Sequence, residues 1–194
     1  MNEAHALKAV KDALKPVRYE HTVRVLETAD QLCSLYGGNR NKIRLAAILH
    51  DYAKYRPAEE MRNKVSSSDK LPDNLQLFGD ELLHSFVGAV FVEEELEVKD
   101  REILEIIAVH TTGKRNMTLE QKIVFLADYI EPGRTFSGAE TARKKAEKSL
   151  DEACLTVLSQ TISFLSEKRW PIYPDTFEAY NDLAIRRKED IINE

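Results

Sequence analysis

The chain is expected to fold as an all-α bundle, on three grounds. Apolar residues recur at three- and four-residue spacing along almost the whole sequence, the period of helices that bury one face. Strand-like alternation of apolar and polar residues is hard to find. Glycines, prolines and capping residues fall between the periodic stretches and divide them into helix-sized pieces.

Taken in order, the first helix is expected over Glu3–Leu14, and Pro16 separates it from a second over Arg18–Tyr36. The stretch YGGNRN ends that second helix with glycines suited to left-handed conformations. A third is expected over Arg40–Tyr52 and a fourth over Ala58–Ser67. SSSDKLPDNLQLFGD then reads as an irregular loop before a fifth helix, Glu81–Leu96, and a sixth, Arg101–His110. Thr118-Leu-Glu-Gln121 is a capping box that opens a seventh helix, Leu119–Ile130, and Glu131-Pro132-Gly133 stops it. One long helix over Gly138–Glu167 and a last over Thr176–Ile192 complete the reading. With no internal repeat and no linker long enough to divide it, the chain 1–194 is read as a single domain.

Composition narrows the function classes. The chain is 43% hydrophobic and 31% charged, an ordinary balance for a packed core. A formal charge of −5 argues against general affinity for nucleic acid or anionic membrane. No run approaches the eighteen or so apolar residues of a spanning helix, and the N-terminal MNEAHALKAVKDAL lacks a signal peptide's apolar stretch. Cys33 and Cys154 lie far apart, neither in a CxxC pair, which suits a reducing compartment. The expected location is the cytoplasm. ARKKAEKSLDE mixes charge signs and reads as a solvated helix face. The oligomeric state is left open, a homodimer included.

Five histidines carry the chemistry. His5 lies on the charged first helix and reads as an ordinary surface residue, but His21, His50, His84 and His110 each sit among aliphatic residues on separate helices. Any one of them could be a core histidine held by a backbone carbonyl. Four together, one of them adjacent to Asp51, fit a metal site built where neighbouring helices converge. His50–Asp51 is the sharpest element, because burying an unpaired carboxylate is costly and neighbouring helical residues point about 100° apart toward one cation. Asp128 follows five residues of which four are strongly apolar, and supplies the second acid. Imidazole with carboxylate suits iron, manganese or zinc, and the absence of thiolates argues against a structural zinc site.

The order His … His-Asp … His … His … Asp resembles the HD superfamily of metal-dependent phosphohydrolases. Within it, RYEHTVRVLETA, LAAILHDYAKY, LLHSFVGAV, IAVHTTGKRNMT and KIVFLADYIEPGRTFSGAE resemble the YqeK family of symmetrical bis(5′-nucleosyl)-tetraphosphatases, over about residues 18–153. PIYPDTFEAYND also looks family-like. The resemblance implies an HD-type bundle with a divalent metal in its core, iron above all, as one or two ions. His21, His50, Asp51 and Asp128 would hold one ion. His84 and His110 would hold a second, or contact substrate phosphates if one ion binds, with Asp51 bridging. The implied reaction is hydrolysis of diadenosine tetraphosphate to two ADP by metal-bound hydroxide, so the implied partners are a nucleotide substrate and a nucleoside diphosphate product. The alternatives are another HD-type phosphohydrolase, acting on a deoxynucleotide or guanosine alarmone, and a nucleotide sensor without turnover.

Phosphates need more positive charge than metals supply. Lys54, one turn beyond His50–Asp51, is the first candidate clamp and, with Asp51 and Asp128, a candidate catalytic residue. Arg134 could grip a phosphate bidentately, and Arg18 precedes His21 by three residues. Thr111, Thr112 and Gly113 follow His110 and look like a loop offering hydroxyl and backbone donors to an anion, while Tyr173 is a candidate nucleoside contact.

Overall fold

The computed structural model describes residues 1–193. They form ten α-helices: α1 Glu3–Ala13, α2 Pro16–Tyr36, α3 Arg40–Leu49, α4 Ala58–Ser67, α5 Asp80–Glu95, α6 Arg101–Val109, α7 Leu119–Ile130, α8 Ser137–Ala146, α9 Leu150–Glu167 and α10 Pro174–Asn193. No strand occurs among the described residues. Helix starts are set by side chains that accept otherwise orphaned backbone N–H groups: Asn2 for α1, Asn39 for α3, Asp100 for α6 and Ser149 for α9. The capping box of α7 forms in full between Thr118 and Gln121. Gly37, at φ +86°, ends α2 in a conformation few other residues adopt.

Helix α2 lies against α3 and α7, and α3 packs in turn on α6 and α7. Helices α5 and α6 pair, while α8, α9 and α10 form a layer behind α7. One continuous hydrophobic core draws on every helix. Helix α7 is central to it, with Ile123, Val124, Leu126 and Ala127 fully buried. Each buried Leu or Ile contributes roughly 1.5–3 kcal/mol of transfer free energy, so the residues before Asp128 hold its position firmly.

Three expectations are corrected. The expected helix Gly138–Glu167 is two helices, because Ser149 takes an extended conformation (φ −153°) and accepts the Glu152 N–H as a new N-cap. The loop between α4 and α5 contains a short 3₁₀ helix, Asp73–Phe78, started after Pro72 and pinned by fully buried Leu75. The third helix stops at Leu49, short of Tyr52. There the His50 ring nitrogen Nδ1 takes the Ala47 carbonyl at 2.7 Å, the acceptor a continuing helix would give to Asp51 N–H. Residues 50–55 continue instead as tight turns, with i→i−3 bonds such as Lys54 N–H to Asp51 O at 2.8 Å. None of the described helices is long and apolar enough to cross a membrane.

Candidate metal centre

Four helices deliver one imidazole each to a common point: His21 from within α2, His50 from the end of α3, His84 from the first turns of α5, and His110 from the end of α6. All four are buried. Their rings meet edge to face, with centroid separations of 5.6 Å for His21–His50, 4.9 Å for His50–His110 and 5.2 Å for His84–His110. Each ring has its Nδ1 occupied by an oxygen. His50, His84 and His110 all use the carbonyl three residues back, on Ala47, Glu81 and Ile107, at 2.6–2.7 Å. His21 meets the carboxylate of Glu131 at 3.0 Å. With Nδ1–H donated, Nε2 is left as a lone-pair donor, the form in which imidazole binds a metal.

Two carboxylates complete the cluster. Asp51 is fully buried and turns its oxygens in different directions. Its Oδ2 lies 3.0 Å from His50 Nε2 and 3.7 Å from His21 Nε2, while Oδ1 lies 3.2 Å from His84 Nε2. Asp128 Oδ1 is 3.0 Å from His21 Nε2 and 3.9 Å from His50 Nε2. His84 and His110 bring their Nε2 atoms to 3.3 Å. Three overlapping sets have ligand atoms mutually within 4.8 Å: His21–His50–Asp51, His50–His110–Asp128, and Asp51–His84–His110.

This donor set fits a divalent metal. Nε2 of His21, Nε2 of His50 and Oδ1 of Asp51 are buried without a hydrogen-bond partner, a costly state that an ion would relieve. Nitrogen and oxygen donors in this mixture suit iron, manganese or zinc.

The electrostatics agree. Burial pushes the Asp51 carboxyl upward, but His50 and His84 outweigh it and hold Asp51 well below the usual carboxylate range. Asp128 is treated alike: burial opposes its charge, and His21 and His50 more than restore it. Burial would lower His50, but Asp51 beside it raises it. His110 goes down to about 3, first through burial and then through repulsion by His50 and His84. Near neutral pH both acids are therefore anionic and the His110 ring is unprotonated at one nitrogen, as a metal-binding imidazole must be.

The cluster is open on one side, where cations gather. Arg18 pairs with Asp51 Oδ2, and Arg134 Nη2 donates to Asp128 Oδ1 at 3.0 Å. Lys54 Nζ lies 3.0 Å from Glu81 Oε2 and 3.4 Å from His84 Nδ1. The side chains of Arg18, Asp128, Lys54 and Arg134 are 18%, 19%, 23% and 33% exposed, in contrast to the sealed imidazoles.

Residues 18–133 match the HD domain family model. The chain belongs to the HD-domain family. This HD-domain protein is 48% identical to a symmetrical bis(5′-nucleosyl)-tetraphosphatase of Halalkalibacterium halodurans, over 97% of this chain and 100% of that one. It is 44% identical to the Bacillus subtilis protein of the same name, over 95% and 98% of the two chains. A crystal structure from Clostridium acetobutylicum, described as a predicted HD superfamily hydrolase involved in NAD metabolism, superposes with a TM-score of 0.88 at 33% identity. The superposition covers 96% of this chain and 98% of that one.

The residues singled out in sequence distribute unevenly over the HD-domain structure. His21, His50, Asp51, His84, His110 and Asp128 converge, with Arg18, Lys54 and Arg134 at their rim. The hydroxyl of Thr111 lies 3.2 Å from His110 Nε2. Thr112 is buried and donates to Gly113 O at 2.8 Å, so that pair shapes the turn behind His110. Tyr173 is buried against Phe78 and Phe86, with ring centroids at 5.0 and 5.3 Å, as part of an aromatic cluster.

Glu131, read in the sequence only as a helix stop, is 2% exposed and touches His21. Burial opposes its charge, but Arg24, His21 and the Gly133 N–H outweigh it and lower its pKa. The mixed charges around Arg143 predict a solvated face. Arg143 instead donates to the carbonyls of Ile130 (2.7 Å), Glu131 (2.8 Å) and Arg134 (2.6 Å), fastening the loop after α7.

Proposed function

We propose that this protein hydrolyses diadenosine tetraphosphate symmetrically, giving two ADP, with a divalent metal in the histidine–aspartate cluster. The observation that carries the reading is the set of four buried imidazoles, each tied at Nδ1 and converging at Nε2 on Asp51 and Asp128 beneath a rim of three cations. The relatives named as symmetrical bis(5′-nucleosyl)-tetraphosphatases, similar over nearly their full lengths, supply the substrate.

In this reading His21, His50, Asp51 and Asp128 would hold one ion. His84 and His110, whose Nε2 atoms carry lone pairs, would hold a second ion together with Asp51. Iron is the resident metal. When bound, a divalent metal supplies Lewis-acid charge and brings the pKa of its water down toward 7.

The chain's own groups do the rest. Arg18 and Arg134 each rest on a ligand carboxylate, so the carboxylate can turn inward to metal while the guanidinium turns outward to phosphate. Lys54 adds a third positive charge at the rim, and Thr111 a hydroxyl. Water adds to a phosphorus beside the central bridging oxygen. The bond from that phosphorus to the bridging oxygen breaks, the oxygen leaves with one ADP, and the hydrolysed half is the other. The water's proton passes to solvent through the open rim. Two buried free cysteines suit a reducing cytoplasm.

Product analysis tests the proposal. Purified protein, loaded anaerobically with ferrous iron and given diadenosine tetraphosphate, should yield ADP alone on ion-exchange chromatography. AMP plus ATP would overturn the symmetry of cleavage, and no turnover with metal confirmed in the protein would overturn the substrate.

A further inference from the structure

We infer that Glu131 is the positioning residue for His21, locking the imidazole so that Nε2 faces the metal. The inference rests on the metal reading of the cluster above. The four imidazoles are not anchored in the same way. His50, His84 and His110 each sit near a helix end or first turn and give Nδ1–H to the carbonyl three residues earlier, an anchor that no side-chain substitution removes. His21 stands in the second turn of α2, and the equivalent Arg18 carbonyl is already bound by Thr22 Oγ1 at 3.1 Å. Its ring nitrogen is met by a side chain from the far end of α7 instead.

Glu131 is itself held on every side. Its Oε1 accepts from His21 Nδ1 at 3.0 Å, and Oε2 accepts from Arg24 Nε at 2.5 Å and from the Gly133 N–H at 2.6 Å. All three partners are donors, so the position needs a group that accepts at two atoms and donates at none, and among side chains only an ionised carboxylate does so. A Cβ on Gly133 would fall 2.7–2.9 Å from the Arg24 guanidinium, so the glycine leaves room for Arg24 to reach the acid. A metal-ligating histidine whose other nitrogen is bound to a carboxylate has its tautomer and orientation fixed and its basicity raised, typically worth 10–100-fold in metal affinity.

The test uses zinc, a diamagnetic probe, on the full chain. Zinc affinity is measured by competition with a chromophoric chelator, and ¹⁵N-labelled histidine spectra report which ring nitrogen of each residue carries the proton. Glu131→Gln should weaken zinc by about 10–100-fold and change the His21 signals while those of His50, His84 and His110 stay in place. Arg24→Met, which leaves the acid but frees it, should weaken zinc by a smaller factor and carries the test if Glu131→Gln does not fold. Affinity within threefold of the parent in a folded Glu131→Gln, or in Arg24→Met where that variant stands in for it, would overturn the assignment. Equal disturbance of all four histidines would do the same, since it would mark Glu131 as a general prop of the fold. Failure of the parent protein to take up zinc would overturn the metal reading itself, a separate result.

Discussion

Stripped of metal by a chelator and moved from pH 7 to pH 5, the protein should lose about 2 kcal/mol of stability through His110 alone. The imidazole is held down to about 3 in the folded protein against an ordinary 6.5, by burial first and then by His50 and His84. Between those values the unfolded chain binds a proton that the folded chain refuses, so stability rises with pH across this window and is lost as pH falls through it. The loss is about 1.4 kcal/mol per pH unit below 6.5, hence about 2 kcal/mol by pH 5 and more below. His50 does not cancel this. Its pKa is raised on folding, so its contribution falls away only above the unfolded value of 6.5; on acidification it grows a little between pH 7 and 6.5 and is constant below, where the His110 loss accumulates. The depressed acids Asp51 and Asp128 contribute above their unfolded values near 3.8 and so do not enter before pH 5. Urea denaturation of chelator-treated protein at the two pH values reads the difference, with His110→Asn as the control that should flatten the slope. An unchanged slope in His110→Asn would refute the argument.

Asp51→Asn should lower kcat/KM for diadenosine tetraphosphate by at least about a thousandfold, or about 4 kcal/mol, together with a loss of bound metal seen by elemental analysis. It leaves a buried position facing three imidazoles without its charge. Arg134→Lys keeps the charge but loses the planar fork, so initial rates should fall about 10–100-fold, the size of a charge-assisted bond worth about 1.5–3 kcal/mol. Thr118→Ala removes the α7 cap and should cost about 1 kcal/mol. By calorimetry that is a Tm about 2–4 °C lower, with kcat retained because the core still holds α7.

The convergence of His21, His50, His84, His110 and Asp128 was legible because each interrupts an apolar helical register, where a polar group needs a reason to be. What the helical period could not convey was where the register stops. His50 itself ends α3 by taking the Ala47 carbonyl, a contact that depends on ring orientation. Lys148 and Ser149 lie in a charged stretch that keeps helical spacing, so the break that starts α9 was hidden. Glu131 was masked by the proline and glycine after it, since an acid there serves a helix stop equally well. A signal did exist, because Glu131, the C-cap of α7, follows Asp128 by three residues, the spacing that brings side chains to one side of a helix. Tyr173 illustrates the opposite difficulty, for an aromatic near a proline gives no sign in sequence of the edge-to-face packing it makes on Phe78 and Phe86.

The grip of Arg143 on three carbonyls of the loop after α7 bears on how this module can be moved between proteins. The family match ends at residue 133, and a fragment cut there would retain every imidazole and carboxylate of the centre. It would leave behind Arg134 and the guanidinium on α8 that fastens Ile130, Glu131 and Arg134, so the acid behind His21 would hang from an unsecured chain end. A portable form of this metal centre therefore extends through α8, and the boundary of the recognisable motif is not the boundary of the working unit.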